Sequence, residues 1–313
     1  APLDFMGAVL LSLTIASLMI GLEEGRHGWT QQHVLILLVV ALLGLVAFIK
    51  VEQGAEEPMI PLRLFSNDVV RTCALLGMCA GAVTYGAGGF LSLYFQDSLL
   101  VSPTESGLRT LPQMLGVTLA TFGVGRIIAK TGKYKIFPVI GSALCIVGLL
   151  GIAQITGTTP YMFLVIPMIL LGFGTASVFT TTSIASQNAV EFSDLGVATA
   201  TVLFFRSLGG SFGLAIFGTV LNSTIRSEIP KRITIEPDKA SSIIRSPEQI
   251  ASLPLASKQA VVDSLAMGVS RIYWLCAATM VIALLLAVIL REQPLRLRAG
   301  LSDAMEKNES ATA

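Results

Sequence analysis

The fold class is decided by the stretch IFPVIGSALCIVGLLGIAQITGTTPYMFLVIPMILLGFGTASVFTTTSIASQNAV, residues 136–190, which contains no charged side chain. A bilayer core about 30 Å thick requires about 20 apolar residues in a helix to cross it. The stretch is therefore too long for one span, and QITGTTP at 154–160 divides it, because Gly, Thr and Pro interrupt helices. Lipid offers no partners for backbone N–H and C=O groups, so we expect two transmembrane α-helices here.

The composition of the whole chain agrees with this interpretation. Hydrophobic residues make up 53% of the 313 residues and charged residues only 13%, whereas a soluble domain carries about a quarter charged residues. Too few charged groups are present to cover a surface in water, and the same hydrophobicity excludes a disordered chain. The formal net charge of +1 excludes the basic surface typical of proteins that bind nucleic acid.

Uncharged stretches bounded by charges recur along the sequence. They give eight predicted spans: 5–22, 33–49, 72–96, 107–129, two within 136–190, 195–222 and 272–290. Two of these are interrupted by charge, because 107–129 contains Arg109 and Arg126 near its ends and 195–222 contains Arg206. The stretches are too long and too uniform for the strands of a membrane barrel. We therefore predict an all-α membrane protein with eight transmembrane helices. Because the chain begins without Met at a span boundary, we expect it to be part of a longer protein, with a half-length protein as the alternative.

The basic residues predict the orientation of these spans. With eight spans, both ends of the chain lie on one side, together with most of the basic residues between spans: Lys50, Arg63, Arg71, Lys130, Lys133, Lys135, Arg291, Arg296 and Arg298. Because cytoplasmic loops are enriched in Lys and Arg, we predict a multi-pass protein of the cell membrane with both ends in the cytoplasm. Residues 223–265 form a long polar segment on the outer side, which is predicted to be partly helical near 255–265.

Four segments carry a resemblance to a known family: EEPMIPLRLF at 56–65, LSLYFQDSLLVSPTESGLRTLP at 91–112, GRIIAKTGKYK at 125–135 and FFRSLGGSFGLAIFGTVL at 204–221. In their order and spacing they resemble the C-terminal portion, spans seven to fourteen, of the fourteen-span EmrB/QacA-type drug:proton antiporters of the major facilitator superfamily. The resemblance covers essentially the whole chain.

The resemblance implies a domain organisation and a function. It implies two extra linker helices over 1–53, a cytoplasmic connector over 54–70, the C-terminal six-helix bundle of the family over 71–291 and a cytoplasmic tail over 292–313. The implied function is proton-coupled efflux of amphipathic drugs or other small molecules by alternating access. The implied partners are the lipid bilayer, the substrate, protons and the N-terminal six-helix half of the family, which this sequence lacks.

Several aromatic and amide side chains on spans three and four are candidates for lining a substrate cavity. They are Tyr85, Phe90, Tyr94, Gln96 and Gln113. Cavities that bind many substrates are largely apolar and aromatic, with few polar groups, and the spacing of Phe90 and Tyr94 places both on one helix face. Ordinary helix packing or contact with lipid is the alternative for each.

Arg206 is the one charge deep within a predicted span, about 15 Å from its inner end at 1.5 Å per residue. An arginine there is costly, by about 2.5 kcal/mol or more, so its position requires a reason. Gly209, Gly210 and Gly213 lie close to it on the helix and indicate that it points into the bundle. We expect it either to face the cavity or to pair with a charge in the missing half. The alternative is a structural arginine bonded to helix carbonyls.

The basic turn between spans four and five contains Lys130, Lys133 and Lys135. In the family this turn helps to latch the inward-closed state, and Glu191 or Asp194 on the neighbouring inner loop are candidate partners. The alternative is that these lysines only set the topology.

Other functions remain to be compared with transport. The sequence contains no GxSxG, HExxH or paired intramembrane carboxylates, so we predict that the protein is not an enzyme. The four cysteines lie in apolar runs without a CxxC pair, which predicts neither disulfides nor a zinc site, and we expect no cofactor. The alternative to a transporter is a non-transporting membrane scaffold or a half-length subunit that requires a partner.

Overall fold

The computed structural model describes residues 5–25, 30–54, 62–232 and 254–295. These residues form nine α-helices and no strand: α1 Phe5–Gly25, α2 Gln32–Gly54, α3 Asp68–Leu93, α4 Pro103–Arg109, α5 Leu111–Thr131, α6 Ile136–Ile152, α7 Tyr161–Asn188, α8 Leu195–Arg232 and α9 Leu255–Ile289. Short 3-10 turns precede α3 and α8, and a π-helical turn, Tyr94–Ser98, extends α3.

The helical segments agree broadly with the predicted spans. In the described part of the chain, six segments are long and apolar enough to cross a bilayer, and α1 and α6 contain shorter apolar helices. The break predicted at 154–160 separates α6 from α7. The fourth predicted span is wrong in one respect, because it consists of the short α4 followed by α5, with Thr110 between them.

The predicted outer segment 223–265 is also corrected by the structure. Helix α8 continues to Arg232 and α9 begins at Leu255, so much of this segment is helical. The two helical extensions are joined by ion pairs, of which Arg232 with Asp263 (3.6 Å) and Arg271 with Glu228 (3.7 Å) are examples. The expected helix near 255–265 is confirmed. Residues 233–253 lie outside the described part of the chain.

Local sequence explains where several helices begin and end. Asn67 caps α3, because its side-chain oxygen accepts hydrogen bonds from the backbone N–H groups of Val69 (2.9 Å) and Val70 (3.4 Å). Ser102 caps α4 in the same way, followed by Pro103 at the first helical position. Gly132 ends α5 with a left-handed φ of 73°, a conformation that costs other residues energy.

Helices α3 and α5 to α9 pack into one bundle. Helix α3 packs along α8, α7 packs against both α5 and α6, and α9 contacts α3, α6 and α8. Helices α1 and α2 form a separate antiparallel hairpin that contacts the bundle through α1 and α8. In the described residues α1 and α2 thus lie beside the other helices, and their assignment as an extra linker pair stays a prediction.

Glycines allow the closest of these helix contacts. A Cβ on Gly81 of α3 would overlap the backbone carbonyl of Arg206, and a Cβ on Gly209 of α8 would overlap that of Met78. Gly213 approaches the backbone of Ala82 in the same way. The backbones of α3 and α8 therefore touch, as small-residue motifs permit in membrane helices.

Contacts between connecting segments define the two ends of the bundle. At one end, Asn67 donates a hydrogen bond to the backbone oxygen of Ala189 (2.8 Å), and Asp68 pairs with Arg291 (3.1 Å). At the other end, the hydroxyl of Tyr94 donates to the backbone oxygen of Thr156 (2.8 Å). The segments that were predicted to lie in the cytoplasm therefore meet at the first end, which we call the basic end.

Candidate substrate-binding face

The guanidinium group of Arg206 lies on the face of an aromatic ring. Its Cζ atom is 3.6 Å from the centroid of the Phe179 ring on α7, a geometry that favours a cation–π interaction. The side chain is half-buried, and no carboxylate of the described residues lies within ion-pair distance of it. Arg206 thus turns toward α7, whereas Gly209 and Gly213 beside it pack against α3.

Tyr85 brings a third helix to this position. It is 46% exposed, and its ring lies directly over Gly210, where a Cβ would overlap the ring atoms. Gly210 follows Arg206 by four residues, so both lie on the same face of α8. Helices α3, α7 and α8 together present Tyr85, Phe179 and Arg206, which we call the Arg206 cluster.

A polar cluster lies further along α3, toward the end opposite the basic end. The amide of Gln96 donates to the hydroxyl of Ser92 (3.1 Å), and that hydroxyl is 2.9 Å from the hydroxyl of Ser106 on α4. A cavity of about 320 Å³ beside this cluster is lined by Ser92 and Gln113 among others. The structure therefore connects the candidates Gln96 and Gln113 through Ser92, a residue that the sequence interpretation did not include.

Phe90 and Tyr94 belong neither to the Arg206 cluster nor to the polar cluster around Ser92. They share one face of α3, as their spacing predicted, but that face points into the bundle, where Phe90 is 8% exposed and Tyr94 is fully buried. The Tyr94 hydroxyl is bonded to the Thr156 carbonyl, and its ring is 5.8 Å from that of Phe95. Their burial argues for a packing role, and contact with substrate stays a prediction for both.

Arg109 is a polar residue whose surroundings the sequence did not reveal. It ends α4, pairs with Glu105 at 2.6 Å and lies over the rings of Tyr161 (5.5 Å) and Phe95 (5.9 Å). The Glu105–Arg109 spacing of four residues is the usual spacing of a helical ion pair and could have indicated it. The aromatic partners Tyr161 and Phe95 belong to other elements, so local sequence could not have indicated the contacts with them.

The basic end brings candidate latch residues together with Arg63 and Glu292. Asp194 is paired with Arg63, whose Nη2 atom is 2.8 Å from its Oδ1 atom. The turn after α5 is held by Glu292, whose Oε1 atom accepts hydrogen bonds from the backbone N–H groups of Tyr134 (2.9 Å) and Lys135 (3.4 Å). Asp194 is thus paired with Arg63 in this structure, and its pairing with a lysine of this turn stays a prediction.

Tyr134 connects this turn to the end of α9. Its hydroxyl donates to the backbone oxygen of Arg291 (3.2 Å) and accepts from the N–H of Gln293 (2.8 Å). Burial raises the pKa of the Tyr134 hydroxyl. The hydroxyl therefore stays protonated and can donate one hydrogen bond while it accepts another. The latch role of Lys130, Lys133, Lys135, Glu191 and Asp194 stays a prediction. Among the described residues, no group of three or more His, Cys, Asp or Glu side chains is placed to hold a metal ion.

The fold is similar to that of a solved transporter. The chain aligns with an inward-facing, occupied crystal structure of a bacterial homologue of the human lysosomal transporter Spinster, with a TM-score of 0.58 and 15% sequence identity. The alignment covers 90% of this chain and 67% of the other. At this identity the likeness concerns the fold alone.

Sequence comparisons are more specific. The chain is 31% identical over 295 residues to an uncharacterized MFS-type transporter of Mycobacterium tuberculosis, which covers 94% of this chain and 43% of the relative. A tetracycline resistance determinant of Streptomyces rimosus is 31% identical over an alignment that covers 70% of this chain and 64% of the relative. The multidrug transporter protein MdtP of Bacillus subtilis is 30% identical over an alignment that covers 70% of this chain and 41% of the relative. The chain thus spans less than two thirds of the length of each. The family model of the Major Facilitator Superfamily matches residues 5–214, and the chain belongs to this superfamily.

Proposed function

We propose that this chain is the C-terminal portion, spans seven to fourteen, of a proton-coupled efflux transporter for amphipathic drugs or other small molecules. The observation that carries the proposal is the Arg206 cluster, an intramembrane cation on an aromatic ring without a described acidic partner. Ionisable groups within membrane helices are rare and mark substrate or ion pathways. Relatives named as a tetracycline resistance determinant, a multidrug transporter and an efflux pump support efflux as the direction of transport.

The substrate is bound on the face formed by α3, α5, α7 and α8. Tyr85 and Phe179 offer aromatic surface, and Gln96 and Gln113 offer a few amide groups. This combination suits amphipathic molecules of different shapes, because apolar contact is not directional and a small number of hydrogen bonds fixes the orientation.

Proton coupling requires a group that gains and loses a proton during the cycle. The described carboxylates of the bundle, such as Asp97, Glu105, Glu191 and Asp194, lie near helix ends and not at the depth of Arg206. We therefore assign the proton-carrying acid to an N-terminal six-helix half, with Arg206 facing it across the cavity. A charge pair of this kind would be stronger when the acid is ionised, so protonation of the acid would weaken the contact between the halves.

Alternating access follows from the packing of the bundle. Close backbone contact between α3 and α8 favours movement of the bundle as a unit, with the change in contacts at its boundary with the other half. The Arg63–Asp194 pair and the lysines of the turn after α5 are candidates among the charged groups of the basic end for holding one of the two states. In this proposal both chain ends and the basic end face the cytoplasm, α1 and α2 are the extra linker pair of a fourteen-span protein, and the protein lies in the cell membrane.

The test is transport by the full-length product of the gene in proteoliposomes with an imposed proton gradient. We expect a cationic or zwitterionic dye to move against its gradient, and the movement to stop when a protonophore collapses the proton gradient. A folded, monodisperse protein that moves no amphipathic dye under either condition would contradict the proposal. The alternative of a non-transporting scaffold is not favoured, because the superfamily is one of transporters.

A further inference from the structure

An apolar groove runs between α3, α8 and α9 on the outside of the bundle. It encloses about 480 Å³ and is lined by apolar side chains and by Thr279, whose hydroxyl is already bonded to the Leu275 carbonyl (3.0 Å). Its rim includes the exposed side chains of Ile216 and Ile282. Helix α1 approaches another side of α8, around Ser211 and Leu214, and leaves the groove open.

One end of the groove is basic. Leu75 lines the groove, and Arg71 lies one helical turn before it on the same face of α3. Leu286 lines the groove from α9, which ends just before Arg291. Both arginines contact a single carboxylate, with Asp68 at 2.8 Å from Arg71 and 3.1 Å from Arg291. Two positive charges share one negative charge, so the cluster keeps a net charge of +1.

We propose that this groove binds an anionic phospholipid, with an acyl chain along α9 and the phosphate against Arg71 and Arg291. The groove has the required length, because positions 275 to 286 rise about 16 Å at 1.5 Å per residue, which is about half of a bilayer core about 30 Å thick. The arginine side chains are largely exposed, at 56% and 77%, and guanidinium groups bind phosphate oxygens in pairs. Basic pockets between membrane helices are favourable positions for anionic headgroups.

The identity of the ligand is independent of the transport proposal. Only the assignment of the lipid to the cytoplasmic leaflet rests on the proposed function, because the arginines face the cytoplasm only if the basic end does. A binding measurement on the purified chain therefore distinguishes failure of this inference from failure of the proposed function.

The experiment measures lipid retained by the full chain in a mild non-ionic detergent, using native mass spectrometry. Phosphatidylglycerol and phosphatidylcholine with identical acyl chains are added in turn. We expect the anionic lipid to bind more tightly to the unchanged chain. The double variant Arg71→Gln with Arg291→Gln changes the cluster from +1 to −1, and its affinity for phosphatidylglycerol falls by about 30-fold, the equivalent of about 1 kcal/mol for each charge.

Three further variants make the result specific. The control Arg126→Gln with Lys133→Gln removes two charges at the same end of the bundle, away from the groove, and should leave the preference unchanged. Arg71→Lys with Arg291→Lys retains the charges and should retain most of the preference. Ala278→Phe fills the groove and should lower the binding of both lipids.

Two results would overturn the inference. One is equal affinity of the unchanged chain for the two lipids. The other is an equal loss of phosphatidylglycerol binding in the Gln variant of the groove and in its control. Thermal unfolding of every variant shows whether it is folded, and if the Gln variant is not, the Lys variant and Ala278→Phe still decide between the outcomes.

Discussion

Arg206 shows what a single residue can and cannot reveal in advance. Its depth in the span and the glycines around it were readable from the sequence, and they predicted that it turns inward. Its contact with Phe179 was not readable, because that ring belongs to another helix and the pairing depends on how α7 and α8 are placed. The same reason explains why the sequence placed Phe90 and Tyr94 on one helix face but did not show that this face is buried in the bundle.

Replacing Arg206 by Ala in the full-length protein should reduce transport by about tenfold or more, or about 1.4 kcal/mol, with a much smaller change in the amount of protein in the membrane. The loss is expected because the proposed function places the cation at the cavity, and because Arg206 forms no ion pair with the described residues that would hold the bundle together. Efflux normalised to protein level in washed membranes is the measurement. Arg126→Ala, at an exposed position on α5, serves as the control. An equal fall in transport and in protein level would assign Arg206 a structural role.

Phe179→Leu tests the ring beneath the guanidinium group. A cation–π contact contributes about 0.5 to 2 kcal/mol. This variant should lose less transport than the arginine variant, because it loses only this contact and retains the charge. In a protein that already lacks the arginine, the same substitution should have little further effect. Transport by the two single variants and the double variant gives the coupling between them. Phe192→Leu, an exposed position in the loop before α8, is the matched control, and fully additive losses would show that the two side chains act independently.

The sequence indicated which helices make close contacts through glycine, but it did not indicate which helix each of them contacts. Gly77 and Gly81, like Gly209 and Gly213, have the GxxxG spacing that indicates close approach, and the structure shows α3 and α8 touching at Gly81, Gly209 and Gly213. Helix limits were less predictable. The predicted fourth span ran across Thr110, although Arg109 and Pro112 flank this residue and the helix breaks there. Apolar composition declines after residue 222 although α8 continues, because ion pairs with the start of α9 stabilise the polar extension.

Gly81→Ala and Gly209→Ala should each destabilise the bundle, because the added methyl group overlaps the backbone of the facing helix. Overpacking of this kind costs about 1 to 3 kcal/mol. Thermal unfolding of the purified chain in detergent should show a lower midpoint for both variants. Gly123→Ala on α5 is the control, since nothing lies within 4 Å of its Cβ position. Unchanged midpoints for the first two variants would mean that α3 and α8 separate easily.

Glu292→Ala should loosen the turn after α5, because the N–H groups of Tyr134 and Lys135 lose their shared acceptor. Hydrogen–deuterium exchange should become faster at the peptide that contains these two residues, and exchange in the middle of α5 should not change. Glu191→Ala removes a carboxylate at the same end of the bundle and is the control. The role assigned to Glu292 fails if both variants exchange at the same rate as the unchanged chain.

At the scale of the whole molecule, composition and periodicity carried most of the prediction. Membership of the superfamily confirms the interpretations that the chain is a membrane protein and is not an enzyme. The approximate number and the order of the helices followed from the apolar stretches, because burial in lipid requires long apolar runs whatever the tertiary contacts. Pairings such as Asp194 with Arg63 could not be predicted in this way, because several basic residues meet at one end and the sequence gives no distances between them.

The orientation of the molecule gives the last prediction. We expect both chain ends to face the cytoplasm and the segment 233–253 to face outward, because the basic end gathers the connecting segments rich in Lys and Arg. Single cysteines at Ser241 and Ser302, in a chain whose four native cysteines are replaced, allow a direct measurement. A membrane-impermeant maleimide added to intact cells should label position 241 and should label position 302 only after the cells are opened. The reverse pattern would place the basic end outside the cell and would move the groove arginines to the outer leaflet.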